Sequence, residues 1–223
     1  MNDKDVEQTK CILEAFDKTG LKGAILLDVP STQFVRVNLL MLRGLSMERG
    51  MSGMFVSVDR PYQYMVHLMT MHQIPAERLM FIDAISRFSA DCKVAPAHVD
   101  FVDGPFHVDR LPEAMNQWGR NGNGKPVPLS ECGFAIIDNL SALLTYNSYH
   151  SVELFLKNFI GVMENAGNVT VPLMIDSEKY GLLYETAKTM CKAELHLKDV
   201  APGFGPFVEA GSRNIAGVNY SRG

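Results

Sequence analysis

The run Gly133-Phe134-Ala135-Ile136-Ile137-Asp138-Asn139-Leu140-Ser141-Ala142-Leu143-Leu144-Thr145-Tyr146-Asn147 decides the fold. Four apolar residues lead straight into an aspartate, the pattern of a strand buried on both faces that ends where the chain leaves its sheet. In parallel α/β proteins ligands collect beyond the carboxyl ends of strands, so Asp138 is well placed for a magnesium ion or a water. The ordinary alternative is an acidic residue that caps a turn or the next helix. Which of the two holds turns on what lies upstream, where a partner phosphate loop would stand.

On either side of this run, apolar strands alternate with amphipathic segments. Strands are predicted at 23–29, 54–59, 79–83, 134–138, 169–175 and 193–197, and Pro172 argues that its strand is an edge or ends there. Helices are predicted at 3–18, at 34–43 ending on Gly44, at 62–72 with Pro61 in the first turn, at 148–165 capped near Ser148, and at 177–191. This alternation implies one α/β domain over residues 1–223, three layers deep (αβα), with a mainly parallel twisted sheet. Segment 88–130 breaks the rhythm as an irregular insertion, with a short helix expected at 111–118 and the turn-rich run Gly119–Pro126. The tail at 201–223 is Gly-rich and polar.

Composition narrows the function classes. The chain has 223 residues, 47% of them apolar and 21% charged, enough for a full core. Its formal net charge of −4 leaves no electrostatic footprint for nucleic acid or an anionic membrane. The apolar segment at 21–29 is far too short to cross a bilayer, and no cleavable leader is read ahead of it. The four cysteines, at 11, 92, 132 and 191, form no CxxC pair, which argues against zinc and disulfide frameworks. A cytoplasmic protein is the expectation.

With these residues in place, the order of elements over about 20–197 resembles the ATPase core of the RecA superfamily, and most of all its KaiC-like branch. The run from Ile137 to Asn147, with a helix rich in Leu and Phe after it, is similar to that family's Walker B strand and the segment leading out of it. Gly53-Met54-Phe55-Val56-Ser57-Val58-Asp59-Arg60-Pro61 is similar to the family's second strand, which normally ends in a catalytic acidic pair. The resemblance implies a P-loop NTPase fold, ATP and magnesium as the ligands such a site serves, and side-by-side assembly.

The phosphate loop departs from that pattern. Such a loop needs glycines so that successive amides can wrap the phosphates, a lysine to reach the outer ones and a Ser or Thr for magnesium. The matching place reads Leu27-Asp28-Val29-Pro30-Ser31-Thr32-Gln33-Phe34-Val35-Arg36, with neither glycine nor lysine. Val35 and Arg36, or with a shorter loop Gln33 and Phe34, stand where the Lys-Ser/Thr pair belongs. Pro30 removes a further donor. In the acidic pair Asp59 keeps one carboxylate, and Arg60 replaces its neighbour. The vestigial nucleotide-binding residues are therefore Pro30, Ser31, Thr32, Gln33, Arg36 and Asp138, with Asp138 and Asp59 the candidates for catalysis. Against a role at a nucleotide, Asp59 reads as the holder of a strand-end turn, and Arg36 and Arg60 as solvated surface cations.

One other constellation stands out. His98-Val99-Asp100 and His107-Val108-Asp109 repeat a His-Val-Asp triplet inside the insertion, and imidazoles with carboxylates bind divalent metals. Their spacing matches no established metal signature, and such residues are common in loops. Cys11, Cys132 and Cys191 fall at apolar positions where inert packing is usual. Ser141 lacks a nucleophile elbow.

The leading expectation is a catalytically degenerate RecA/KaiC-like domain acting as a binding, scaffold or regulatory protein, through a protein partner or self-association as a homodimer or higher oligomer. Two enzyme readings stand beside it. One is an active ATPase or nucleotide-dependent enzyme with an atypical phosphate loop. The other is a metal-dependent hydrolase built on the His/Asp cluster.

Overall fold

Most strands among the described residues are short apolar runs buried on both faces, and that dictates the architecture. The structure, a computed structural model, describes residues 3–20, 22–86, 98–102, 104–106, 108 and 131–197. Seven strands form one sheet: β1 (Gly23–Asp28), β2 (Gly53–Ser57), β3 (Leu79–Asp83), β4 (Val99–Phe101), β5 (Phe134–Ile137), β6 (Thr170–Ile175) and β7 (Ala193–His196). Their spatial order is β4-β3-β2-β5-β6-β1-β7, and every pairing is parallel. The helices are α1 (Asp3–Lys18), α2 (Phe34–Leu42), α3 (Tyr62–Met71), α4 (Tyr149–Ala166) and α5 (Gly181–Met190).

Alternation along each strand feeds two separate cores. Ile25, Leu27, Phe55, Phe81 and Ile136 pack with α1, α2 and α3 on one face. Ala24, Leu26, Val56, Ile82 and Ile137 pack with α4 and α5 on the other. This is the three-layer α/β/α arrangement with a parallel sheet that the strand–helix alternation implies. All strands run the same way, so their carboxyl ends meet along one edge, with β6 between β1 and β5.

Where the elements differ from the sequence expectation, the causes are local. The helix from Phe34 does not stop at Gly44: a π-helical turn continues it over Arg43–Glu48. Gly44 is there for contact. A Cβ at this position would stand 3.0 Å from Leu13 Cδ2 and Thr9 Cγ2, so its bare backbone lets α1 lie close. Pro172 is neither at an edge nor at a strand end, since β6 is flanked on both sides. Thr170 N–H donates to Gly133 on the β5 side at 2.9 Å, so the proline nitrogen two residues on faces the same way. The β5–β6 ladder is only Phe134↔Thr170, so the pairing ends before the position where proline has no N–H to give.

The insertion contributes the edge strand β4, which the broken periodicity hid; the helix expected at 111–118 lies outside the described residues, as does the tail. Helix α5 begins at Gly181 rather than 177 because residues 176–180 form a turn, with Tyr180 N–H donating to the Asp176 carbonyl at 2.8 Å. Ser148 does cap α4, accepting from Ser151 N–H at 3.1 Å, and Gly167 ends that helix with φ of 118°. No helix of the described residues is long and apolar enough to cross a membrane.

Candidate functional site

Aspartates stand at the carboxyl edge of the sheet in a row: Asp28 closing β1, Asp59 beyond β2, Asp83 closing β3, Asp138 after β5 and Asp176 after β6. A buried carboxylate is costly unless hydrogen-bonded, and each of the buried ones is met by donors from a neighbouring loop. Asp83 accepts from the amides of Tyr62, Ile85 and Ser86 at 2.7–2.8 Å and from Ser86 Oγ at 2.6 Å, which fixes the start of α3. Asp28, 3% exposed, accepts from Ser177 N at 3.1 Å, from Ser177 Oγ at 2.8 Å and from His196 Nδ1 at 3.0 Å.

Asp138 is the centre of the row. Its carboxylate accepts from Val58 N at 2.9 Å, Asp59 N at 3.2 Å, Arg60 N at 3.3 Å and Asn139 N at 2.8 Å. It is 7% exposed, and burial pushes its carboxyl up to about 7, against the pull of the amides of Val58 and Asp59. These bonds also explain why β2 ends at Ser57: the next three amides turn to Asp138 instead of continuing the ladder. Asp59 lies outside, accepting from Asn139 Nδ2 at 3.3 Å, with Arg60 Nε 3.8 Å away. Arg60 lies 5.0 Å over the Tyr64 ring.

The first crossover takes a conformation of its own. Residues Ser31–Gln33 form a single 3-10 turn after Pro30, closed by Gln33 N–H to the Pro30 carbonyl at 2.8 Å. Ser31 N–H donates to Asp176 Oδ2 at 2.8 Å, and Lys179 Nζ, which is 3.9 Å from that same oxygen, bonds Ser31 Oγ. Arg36 turns away from the sheet edge, toward α1: its guanidinium binds Asp5 at 2.7 Å and Gln8 Oε1 at 2.6 Å. The anion-meeting role open to Arg36 in the sequence is thus taken up by an ion pair within the chain.

A cavity of about 120 Å³ lies between this crossover and the β2 and β5 ends, with Ser31, Thr32, Asn38, Asp59 and Asp138 among its walls. A second, of about 260 Å³, is bounded by Asp28, Pro30, Ser31, Thr32, Asp176 and Lys179. Of the metal candidates, His98 and Asp100 are described. They flank and belong to β4, where Asp100 pairs in register with Ile82 and the His98 ring meets Phe81 edge-on. His107 and Asp109 lie outside the described residues. Among the described residues no three His, Cys, Asp or Glu side chains gather as a metal centre. Burial pushes the thiols of Cys132 and Cys191 up to about 12, far from a nucleophile's range.

Sequence reasoning passed over Asp28, Asp176, Asn38 and Ser57 at this edge. A signal for two of them was present: one apolar run after another ends on aspartate, as in Leu27-Asp28, Ile82-Asp83, Ile137-Asp138 and Ile175-Asp176. Asn38 and Ser57 carry no such mark, being single polar residues within apolar segments.

Solved structures share this arrangement. A KaiC-like protein from the hyperthermophilic archaeon Pyrococcus horikoshii OT3 superposes with a TM-score of 0.54 at 12% identity, over 82% of this chain and 76% of the other. The fold is KaiC-like. An uncharacterized protein from Pyrococcus horikoshii in complex with an unknown peptide aligns with the same TM-score and identity, over 78% of this chain and 76% of its own. No family model matches the sequence, and no curated protein matches it at the sequence level. At this identity the KaiC-like likeness carries the architecture, and activity has to be argued from the site.

Proposed function

We propose that this chain is a catalytically degenerate RecA/KaiC-like domain that works as a binding, scaffold or regulatory protein, through a protein partner or a second copy of itself. One observation carries the reading: Ser31 and Asp138, which would receive a nucleotide and its magnesium, are already engaged by groups of this same chain. The Ser31 amide and hydroxyl serve Asp176 and Lys179, and the Asp138 carboxylate serves four backbone amides. A phosphate at the crossover would have to displace an internal carboxylate that is already in place. Magnesium at Asp138 would cost the β2 end its anchor. The volume agrees, since cavities of about 120 and 260 Å³ fall below the roughly 300–1,000 Å³ usual for cofactor sites.

An active ATPase with an atypical loop has one feature in its favour: Asp138 lines a cavity, and its carboxyl is raised to about 7. Steady-state hydrolysis and thermal shift with ATP, GTP and magnesium separate the readings. Degeneracy expects no turnover above buffer and no concentration-dependent stabilisation. Turnover that vanishes in Asp138→Asn defeats it.

A further inference from the structure

The cavity beside Asp138 has polar walls whose hydrogen-bonding capacity is unspent. Asn38 Oδ1, Ser57 Oγ and Asn139 Oδ1 are shielded from solvent and have no hydrogen-bond partner among the described residues. All three residues line this cavity. Asn38 and Ser57 are each 1% exposed, so bulk water does not serve them where they stand. Leaving a buried polar atom without a partner costs about 1–3 kcal/mol, and three around one cavity point to a missing occupant.

The amide orientations are fixed by the bonds the other ends make. Asn38 Nδ2 donates to the Asp138 carbonyl at 2.9 Å, and Asn139 Nδ2 donates to Asp59 at 3.3 Å. The oxygens left over are acceptors only, while Ser57 can both donate and accept. An occupant must therefore bring at least two N–H or O–H donors and can use one acceptor. Its charge is set by the same walls. Two amide oxygens with Asp59 and Asp138 repel an anion. The N-terminal turn of α2, whose Phe34 lines the cavity, and the neighbouring Arg60 disfavour a cation. A space of about 120 Å³ admits only a few non-hydrogen atoms beyond the head group.

We propose that this cavity binds a small neutral molecule carrying a carboxamide or urea head, held by Asn38 Oδ1, Asn139 Oδ1 and Ser57 Oγ. The amino group donates to the two asparagine oxygens, and the carbonyl accepts from the serine hydroxyl. Phe34 and Phe55 flank the short apolar remainder. The inference rests on the reading that the crossover no longer serves nucleotide, and it gives that reading a ligand class.

The test titrates the full chain with three molecules of one shape and different charge: propionamide, propionate and propylammonium. Amide-proton and side-chain spectra by NMR report on the cavity. Saturable shifts at Asn38, Ser57 and Asn139 are expected with propionamide, and at least tenfold weaker effects with the two ions. Ser57→Ala removes a hydroxyl that has no hydrogen-bond partner among the described residues, so it should keep the melting temperature and weaken propionamide at least tenfold; Asn139→Ala gives an independent reading from the cavity rim. Absent shifts, or equal shifts with all three molecules, overturn the proposal. So does undiminished binding in both variants. ATP turnover measured in parallel keeps the outcomes apart. Hydrolysis dependent on Asp138 would overturn the degenerate-site reading, whereas no hydrolysis with no amide binding overturns only the ligand assignment.

Discussion

Ser31 and Asp176, 145 residues apart in sequence, are joined by a 2.8 Å hydrogen bond from the serine amide to the carboxylate. The chain thereby supplies its own anion to the turn that opens the first crossover. This contact ties the loop after β1 to the loop after β6, and the parallel register that sets Asp28 beside Ile175 brings the two loops together. A short polar segment with little apolar surface is held in place this way.

Removing that carboxylate should loosen the crossover without creating an activity. Asp176→Ala takes away the acceptor of Ser31 N–H and the neighbour of Lys179. A loss of about 1–3 kcal/mol in chemical denaturation is expected, the range for a hydrogen bond to a charged group plus an orphaned amide. Asp176→Asn, which keeps an acceptor oxygen, should lose less than half as much. Equal losses in the two variants would mean that the carboxylate acts through bulk charge rather than through this bond.

Asp138 sets a pH dependence whose sign is fixed by its burial. Its folded-state value, about 7, lies above the ordinary carboxylate value that the unfolded chain regains. The folded state therefore holds the proton longer, so this group's contribution is fully present below about pH 4 and is lost as pH rises toward 7. Between about pH 5 and pH 7 the decline from this group amounts to roughly 2 kcal/mol. Asp138→Asn should flatten that slope, while lowering stability at about pH 5 because an amide cannot accept all four N–H bonds. Parallel slopes for the two proteins in urea denaturation across this range would contradict the assignment.

The sheet was legible because a parallel strand buried on both faces reads as an apolar run, and five of the seven described strands have one, while β7, Ala193-Glu194-Leu195-His196, was placed by the strand–helix alternation. Strand β4 was not legible, since three residues around Asp100 at a sheet edge leave no periodic mark. The site was legible only in part. Asp138 and Ser31 could be singled out from their place after apolar runs, but what they bond depends on tertiary register: the donors for Asp138 come from Val58–Arg60, some 80 residues upstream. Arg36 shows the same limit, because its pairing with Asp5 comes from the packing of α1 on α2.

Glu194, in β7, is a buried carboxylate of a different kind. It accepts from Tyr184, pairs with Lys188 Nζ at 2.8 Å and lies 3.2 Å from His196 Nε2. Burial alone would raise its pKa, but the bonds from Lys188 and Tyr184 win and hold it below the ordinary value. A depressed folded-state value gives stability that is present above about pH 4.5 and lost as pH falls through the folded value. Lys188→Met should cost about 1–2 kcal/mol at neutral pH, moderated because the lysine is partly exposed and two partners remain. The gap between the variant and the parent should close on acidification below about pH 4. A constant gap would assign the loss to packing of the lysine stem instead.

Gly53 opens β2 directly beneath the Phe134 ring of β5, its register partner. A Cβ built on Gly53 would lie 2.4 Å from Phe134 Cε2 and Cζ, well inside contact distance. Phe134 is fully buried, and its strand is pinned on the far side by Thr170, so the ring has no room to withdraw. Gly53→Ala therefore forces either an off-rotamer Phe134 or a shift between β2 and β5, at a cost of about 3 kcal/mol. Because Val58, Asp59 and Arg60 deliver their amides to Asp138 from the end of this same strand, a shift of β2 should also disturb the cavity. Thermal unfolding reads the first effect, and the Asn139 and Ser57 resonances read the second. Gly53→Ala combined with Phe134→Leu, which removes the clashing ring edge, should recover part of the loss; a double variant no more stable than Gly53→Ala alone would place the strain elsewhere.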